Sequence, residues 1–118
     1  MKKKILVHEK DPFILDLVTL VLTDAGYLVL NDSEEGFFES IERYEPDAVL
    51  LDIIAPTSIG TELCERIKNH PDYNSIPVVV LSTHPNIAVT KNICADEVIS
   101  KPFDIDFLLH VVEKQLAA

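Results

Sequence analysis

Glycine is scarce in this chain, with three residues in 118, and cysteine scarcer still, with two. Three glycines do not make the glycine-rich loop that wraps a nucleotide phosphate, so nucleotide and flavin carriers lose ground. Cys64 and Cys94 have no metal-like spacing and sit among apolar neighbours, which predicts buried free thiols. His8, His70, His84 and His110 are scattered without ligand spacing, which argues against a zinc site. Positive charge is also short: 10 Lys and Arg stand against 20 Asp and Glu, for a formal charge of −10. Such a chain lacks the basic face of a nucleic-acid binder, so no direct nucleic-acid contact is expected. No apolar run approaches the roughly 20 residues of a membrane span. The start is basic and then apolar, but Ile5 to Val7 is too short for an export signal. No membrane partner and a cytoplasmic location are therefore expected.

What is present fits one domain over residues 1–118, with 47% apolar residues, enough to bury a core. The chain is organised around Asp47-Ala48-Val49-Leu50-Leu51-Asp52, bounded by Pro46 and Pro56. A short apolar run of this kind predicts a strand buried on both faces, as in the centre of a parallel sheet. Lys3 to Val7, Tyr27 to Leu30, Ile76 to Leu81 and Asp96 to Ser100 read as the other strands. Asp11-Pro12 opens a first helix, with Phe13, Ile14, Leu17, Val18, Val21 and Leu22 at inward spacing and Gly26 at its end. A second helix is capped within Asn31-Asp32-Ser33 and weakened by Gly36, and a third starts at Ile59 or Gly60. A short fourth helix runs from about Asn86 to Asn92, and Asp104 caps the last, with Phe107, Leu108, Val111 and Val112 inward. Strand and helix alternate five times, which predicts an α/β, doubly wound, five-stranded parallel sheet with helices on both faces.

In such a sheet the strand C-termini share one edge, and ligands bind there. That edge collects Glu9, Lys10, Asp11, Asp52, Ser82, Thr83 and Lys101. A carboxylate can attack phosphorus as a nucleophile, while a lysine and a hydroxyl hold the phosphoryl oxygens as charge develops. For an isolated Asp52 a turn-initiating role is the ordinary one; the convergence of the set is what points to phosphoryl chemistry.

The ordered set resembles the receiver domain of two-component response regulators. The matching residues are Lys3 to Val7 with Glu9 and Asp11-Pro12, then Pro46 to Ile53 with Pro56 and Gly60. Ile76 to Ser82 and Ala95-Asp96 to Lys101-Pro102-Phe103 complete the match, which spans essentially the whole chain. The resemblance implies a flavodoxin-like (βα)5 fold with strand order 2-1-3-4-5. It implies a response regulator in a phosphorelay, accepting a phosphoryl group on Asp52 from a histidine kinase or phosphotransfer protein. It further implies an aspartyl phosphate sensed by Ser82 and Lys101, a cis Lys101–Pro102 peptide, and signalling to an output domain or protein. Such a chain is a switch, not a turnover enzyme. A magnesium ion would be held by Glu9, Asp52 and the Ile54 carbonyl.

Several departures bear on that expectation. Lys10 falls where the family places its principal metal-ligating acid, and an ammonium repels a metal, so magnesium binding is expected to be weak. A Lys10 pointing into solvent would leave the site poor but not hostile. Val98 replaces a reporter aromatic, and the stretch from Ser82 to Lys101 is shorter than usual by close to one helical turn, so the fourth helix must be short or displaced. Ile54 and His84 take the variable positions flanking the site, with His84 read as a loop histidine. These changes favour an alternative: a pseudo-receiver, a phosphorylation-independent interaction module. In either case Lys10 or Lys101 is expected to pair with Asp52 at rest.

Overall fold

The computed structural model of the chain describes residues 2–32, 36–53 and 59–117. Five strands, β1 (Lys4–His8), β2 (Leu28–Asn31), β3 (Ala48–Asp52), β4 (Val78–Ser82) and β5 (Glu97–Ser100), form one all-parallel sheet in the order β2-β1-β3-β4-β5. Helices α1 (Pro12–Asp24), α2 (Phe37–Tyr44), α3 (Ile59–Asn69), α4 (Thr90–Ile93) and α5 (Ile105–Leu116) make the crossovers. This is the doubly wound, flavodoxin-like architecture that the alternating sequence predicts.

Strand alternation divides the core in two. Leu6, Val49, Leu51, Val78 and Val80 face α2, α3 and the α4 segment, where they pack on Phe37, Ile41, Leu63 and Ile67. Ile5, Val7, Leu50, Val79, Leu81 and Ile99 face the other way, onto Val18 and Leu22 of α1 and Leu108, Val111 and Val112 of α5. Both faces of β3 and β4 are buried, hence their unbroken apolar runs. No helix among the described residues is long and apolar enough to cross a membrane.

Local chemistry sets the helix ends. The Asp11 carboxylate accepts from the Phe13 and Ile14 N–H groups, with Pro12 at the first helical position. Asp104 accepts from the Asp106 N–H at the start of α5. Gly26 has φ +101°, a left-handed conformation that favours glycine after a helix. Gly36 has a steric reason, since a Cβ there would lie 2.9 Å from Asp32 Oδ1, and the Asp32 carboxylate is itself held by the Ser40 hydroxyl. Ser33 lies outside the described residues.

Three expectations need correction. Phe13 is 86% exposed and Leu17 36%, so neither belongs to the inner face of α1. A helix that is apolar nearly all round gives no contrast from which its buried face could be read. Phe107 is likewise half exposed, at the edge of the stripe made by Leu108, Val111 and Val112. The fourth helix is shorter than expected: a 3-10 turn over Ile87–Val89 leads into the four-residue α4.

The third correction concerns the cysteines. Cys64 on α3 and Cys94, the residue that ends α4, form a disulfide with their Cα atoms 5.7 Å apart, within the usual range. They are 30 residues apart in sequence, and the core under α3 and α4 brings them together. By loop length, this crosslink stabilises the fold by about 3.6 kcal/mol through the unfolded state. Urea unfolding with and without dithiothreitol should show a loss of that order on reduction; an unchanged midpoint would contradict it.

Candidate functional site

The same alternation that divides the core aims three charged side chains at one point. Glu9 follows Ile5 and Val7, Asp52 follows Leu50, and Lys101 follows Ile99, each two residues beyond a side chain on the α1/α5 face. Lys101 Nζ lies 2.6 Å from Glu9 Oε1 and 3.0 Å from Asp52 Oδ1, and it donates a hydrogen bond to the Asp52 oxygen. The side chains of Glu9, Lys101 and Asp52 are only 0%, 10% and 13% exposed. The contact with Glu9 is a close ion pair lacking hydrogen-bond alignment, so Glu9 Oε1 is a buried oxygen without an aligned donor. Glu9 Oε2 accepts from the Asp11 N–H at 3.1 Å.

The backbone fixes this arrangement. The Lys101 N–H donates to the Ser82 carbonyl at 2.8 Å, and the Ile53 N–H donates to the Leu81 carbonyl at 3.0 Å, so the ends of β3 and β5 are both tied to β4. The Lys101–Pro102 peptide is cis, as the family resemblance implies.

Burial pushes the Glu9 carboxyl above its ordinary range. The Lys101 ammonium and the Asp11 N–H pull it back in part, and the Asp52 charge adds to the rise. For Lys101, burial favours the neutral amine, but the close contacts and charges of Glu9 and Asp52 together outweigh it and raise its pKa. The ammonium is therefore locked on at neutral pH.

A cavity of about 410 Å³ opens over this cluster, lined by Glu9, Asp11, Asp52, Thr83, Lys101 and Pro102, among others. A larger groove, about 720 Å³, lies between α2 and α3, lined by Glu39, Glu42, Glu62 and Glu65 with Arg66. It holds none of the strand-end residues, so the smaller cavity is the candidate site.

Ser82 and Thr83 divide at this edge. Ser82 is buried at the end of β4, and its hydroxyl accepts from the His84 N–H at 3.1 Å. It has the parity of Val78 and Val80, which face α2 and α3, and it does not line the cavity. Thr83, one residue on, has the parity of Val79 and Leu81 and does line it. His84 accepts from the Asn86 N–H through Nδ1, a turn-forming contact.

Other acids of the chain have structural partners. Asp47 accepts from the Lys4 N–H and Asp96 from the Val78 N–H, each at 2.7 Å, at the opposite edge of the sheet. Lys10 is exposed, whereas the expected resting ion pair with Asp52 is made by Lys101. Ile54 lies outside the described residues. Among the described residues no group of three or more Asp, Glu, His or Cys side chains is placed to hold a metal. Magnesium can bind through one or two carboxylates with waters completing its shell. The Glu9 and Asp52 carboxylates meet that minimum and no more, and the Lys101 ammonium already contacts both.

Two carboxylates share one buried ammonium, so the charges are unequal in their consequences. Removing Lys101 leaves both acids uncompensated, and Lys101→Met should lower stability at neutral pH by about 3 kcal/mol. Glu9 has the opposite sign. Its folded pKa is raised, so the native state holds the proton more tightly than the unfolded chain, and stability falls as pH rises through the folded value. Glu9→Gln should therefore gain on wild type as pH goes from about 4 to about 8. Urea titrations across that range measure the difference; a wild type that gains on Glu9→Gln with rising pH would contradict it.

Comparison with known proteins places this edge in a family. The family model for the response regulator receiver domain matches residues 5–113. The regulatory protein VanR of Enterococcus faecium is 32% identical, over 98% of this chain and 51% of VanR. The DNA-binding dual master transcriptional regulator RpaA of a Synechocystis strain is 32% identical, over 90% of this chain and 46% of RpaA. The chain thus spans about half the length of these relatives. A solved chain from Chloroflexus aurantiacus J-10-fl, 28% identical, superposes over the full length of both chains with a TM-score of 0.90. With five parallel strands in the order 2-1-3-4-5 and a match over nearly its whole length, the chain belongs to the response regulator receiver domains.

Proposed function

We propose that this receiver domain accepts a phosphoryl group on Asp52 and acts as a signalling switch, not as a turnover enzyme. The observation that carries this is the Lys101 ammonium held against Asp52 Oδ1 at the mouth of a cavity large enough for a phosphoryl group. An Asp52 oxygen attacks phosphorus, the bond from phosphorus to the donor's imidazole nitrogen breaks, and the imidazole leaves with the bonding pair. The Asp52 negative charge passes into a phosphoryl group with more charge than the carboxylate had. Lys101 is already in place to meet it, which limits reorganisation during transfer. For Ser82 to bond a phosphoryl oxygen, its O–H, left free to donate by the bond it accepts from the His84 N–H, must turn toward the cavity. Thr83 lines the cavity without such a turn. A divalent cation would supply further neutralisation of the phosphoryl oxygens, with Glu9 and Asp52 as its side-chain ligands and the Ile54 carbonyl as an expected third.

The donor is a sensor histidine kinase or a phosphotransfer protein. Phe13, Leu17 and Leu20 form an exposed apolar stripe on α1, which begins beside Glu9, and a protein donor reaching Asp52 from this edge would cover it. An output domain or output protein receives the signal, as the longer relatives imply, and the location is cytoplasmic, where such donors are phosphorylated.

Lys10 favours a second reading, a pseudo-receiver that works through protein contacts without phosphorylation. Mass spectrometry after incubation with acetyl phosphate and magnesium separates the two. A phosphoryl mass on wild type, absent from Asp52→Asn, supports phosphoacceptance; no mass gain in wild type supports the alternative. Magnesium titration should show weak binding that strengthens at least roughly tenfold in Lys10→Asp, a change of about 1.4 kcal/mol. Tight magnesium binding by wild type would remove Lys10 as a weakening factor.

A further inference from the structure

We propose that Cys64 and Cys94 form a reversible thiol–disulfide site, open to small thiols and disulfides, whose state sets the order of the segment 84–95. The pair lies outside the charged cluster and takes no part in phosphoryl transfer. It joins the middle of α3 to the residue that closes α4, across the core on the α2/α3 face.

Few of the segment's described hydrogen bonds reach the rest of the fold. Four α-helical residues after a single 3-10 turn are far below the length at which a helix holds itself. Ile87, Thr90 and Ala95 are buried and Lys91 pairs with Glu97 of β5 at 3.2 Å, but most of the segment's described hydrogen bonds stay within it, among them the Thr90 hydroxyl donating to the Ile87 carbonyl and the Cys94 and Ala95 N–H groups donating to the Thr90 carbonyl. Val89 and Ile93 are about half exposed. The Cys64–Cys94 bond is thus the covalent anchor of a stretch that would otherwise open at low free energy. The same stretch begins at His84, whose N–H holds the Ser82 hydroxyl.

Access is unequal. Cys64 is fully buried in α3, whereas Cys94 is 7% exposed and lies on the short segment, so local opening presents the Cys94 sulfur first. In reduction, a small thiolate attacks Cys94 Sγ, the sulfur–sulfur bond breaks, and Cys64 leaves as a thiolate that takes a proton. A second small thiolate then attacks the sulfur of its own kind in the mixed disulfide and releases Cys94. Two electrons enter the protein and one small-molecule disulfide is produced. Oxidation by a small disulfide runs the same steps in reverse, with the two cysteine protons passing to the released thiols.

Glutathione redox buffers, alkylation with N-ethylmaleimide and intact mass spectrometry test this on the full chain without denaturant. Wild type should move between disulfide and dithiol forms as the ratio of reduced to oxidised glutathione changes. Cys64→Ser should accumulate a glutathione adduct on Cys94, while Cys94→Ser should leave Cys64 unmodified. Amide hydrogen exchange over 84–95 should be at least roughly tenfold faster in the dithiol form, with β1 and β3 unchanged. The proposal is overturned by a disulfide that resists reduction until the protein is denatured, or by thiols that stay free in oxidised glutathione. It is equally overturned by adduct formation at Cys64 in place of Cys94, or by identical exchange in the two redox forms.

Discussion

Lys101 places one ammonium in contact with two buried carboxylates that come from two other strands. β5 is at the edge of the sheet, with β4 between it and β3, so the lysine must reach across the end of β4 to meet Asp52 and on to Glu9 after β1. The backbone bond from the Lys101 N–H to the Ser82 carbonyl starts that reach in the right direction. Without the ammonium, two desolvated negative charges would face each other inside a low-dielectric pocket. With it, the two carboxylates share one buried cation, and a cation or a phosphoryl group must compete with or exploit that balance.

The arrangement follows from alternation along the strands more than from any motif. The parity that turns Ile5, Val7, Leu50 and Ile99 toward α1 and α5 delivers Glu9, Asp52 and Lys101 to the same side. It also separates neighbours: Ser82 belongs to the α2/α3 side and Thr83 to the cavity side. The two sides of the sheet therefore hold different chemistry. One carries the charge cluster, and the other carries the disulfide and the short α4 segment. They meet at the Ser82–His84 turn, where the Ser82 hydroxyl, next in sequence to the cavity-lining Thr83, accepts from the backbone of that segment.

Much of this was legible in the sequence because the signals are local. Apolar runs ending in polar residues mark five strands, Asp11-Pro12 and Asp104 mark helix starts, and the strand ends point to Glu9, Asp52 and Lys101. What was not legible is what depends on distant parts of the chain. Nothing around Cys64 or Cys94 distinguishes a buried thiol from half of a disulfide; only the packing of α3 against α4 decides it. Phe13, Leu17 and Phe107 sit at inward spacing on helices whose other faces are also apolar, so periodicity could not tell inside from outside. The division between Ser82 and Thr83 depends on where β4 stops, a boundary that sequence patterns locate only to within a few residues.

Burial raises the Glu9 pKa, and the Lys101 ammonium holds that rise in check. A carbon-detected NMR titration of the Glu9 carboxyl, in wild type and in Lys101→Met, tests this most directly. Glu9 should titrate above the ordinary glutamate value of about 4.3 in wild type and higher again in Lys101→Met, where burial and the Asp52 charge act without their counterweight. A Glu9 that titrates at the ordinary value, or that does not move when Lys101 is replaced, would contradict the account.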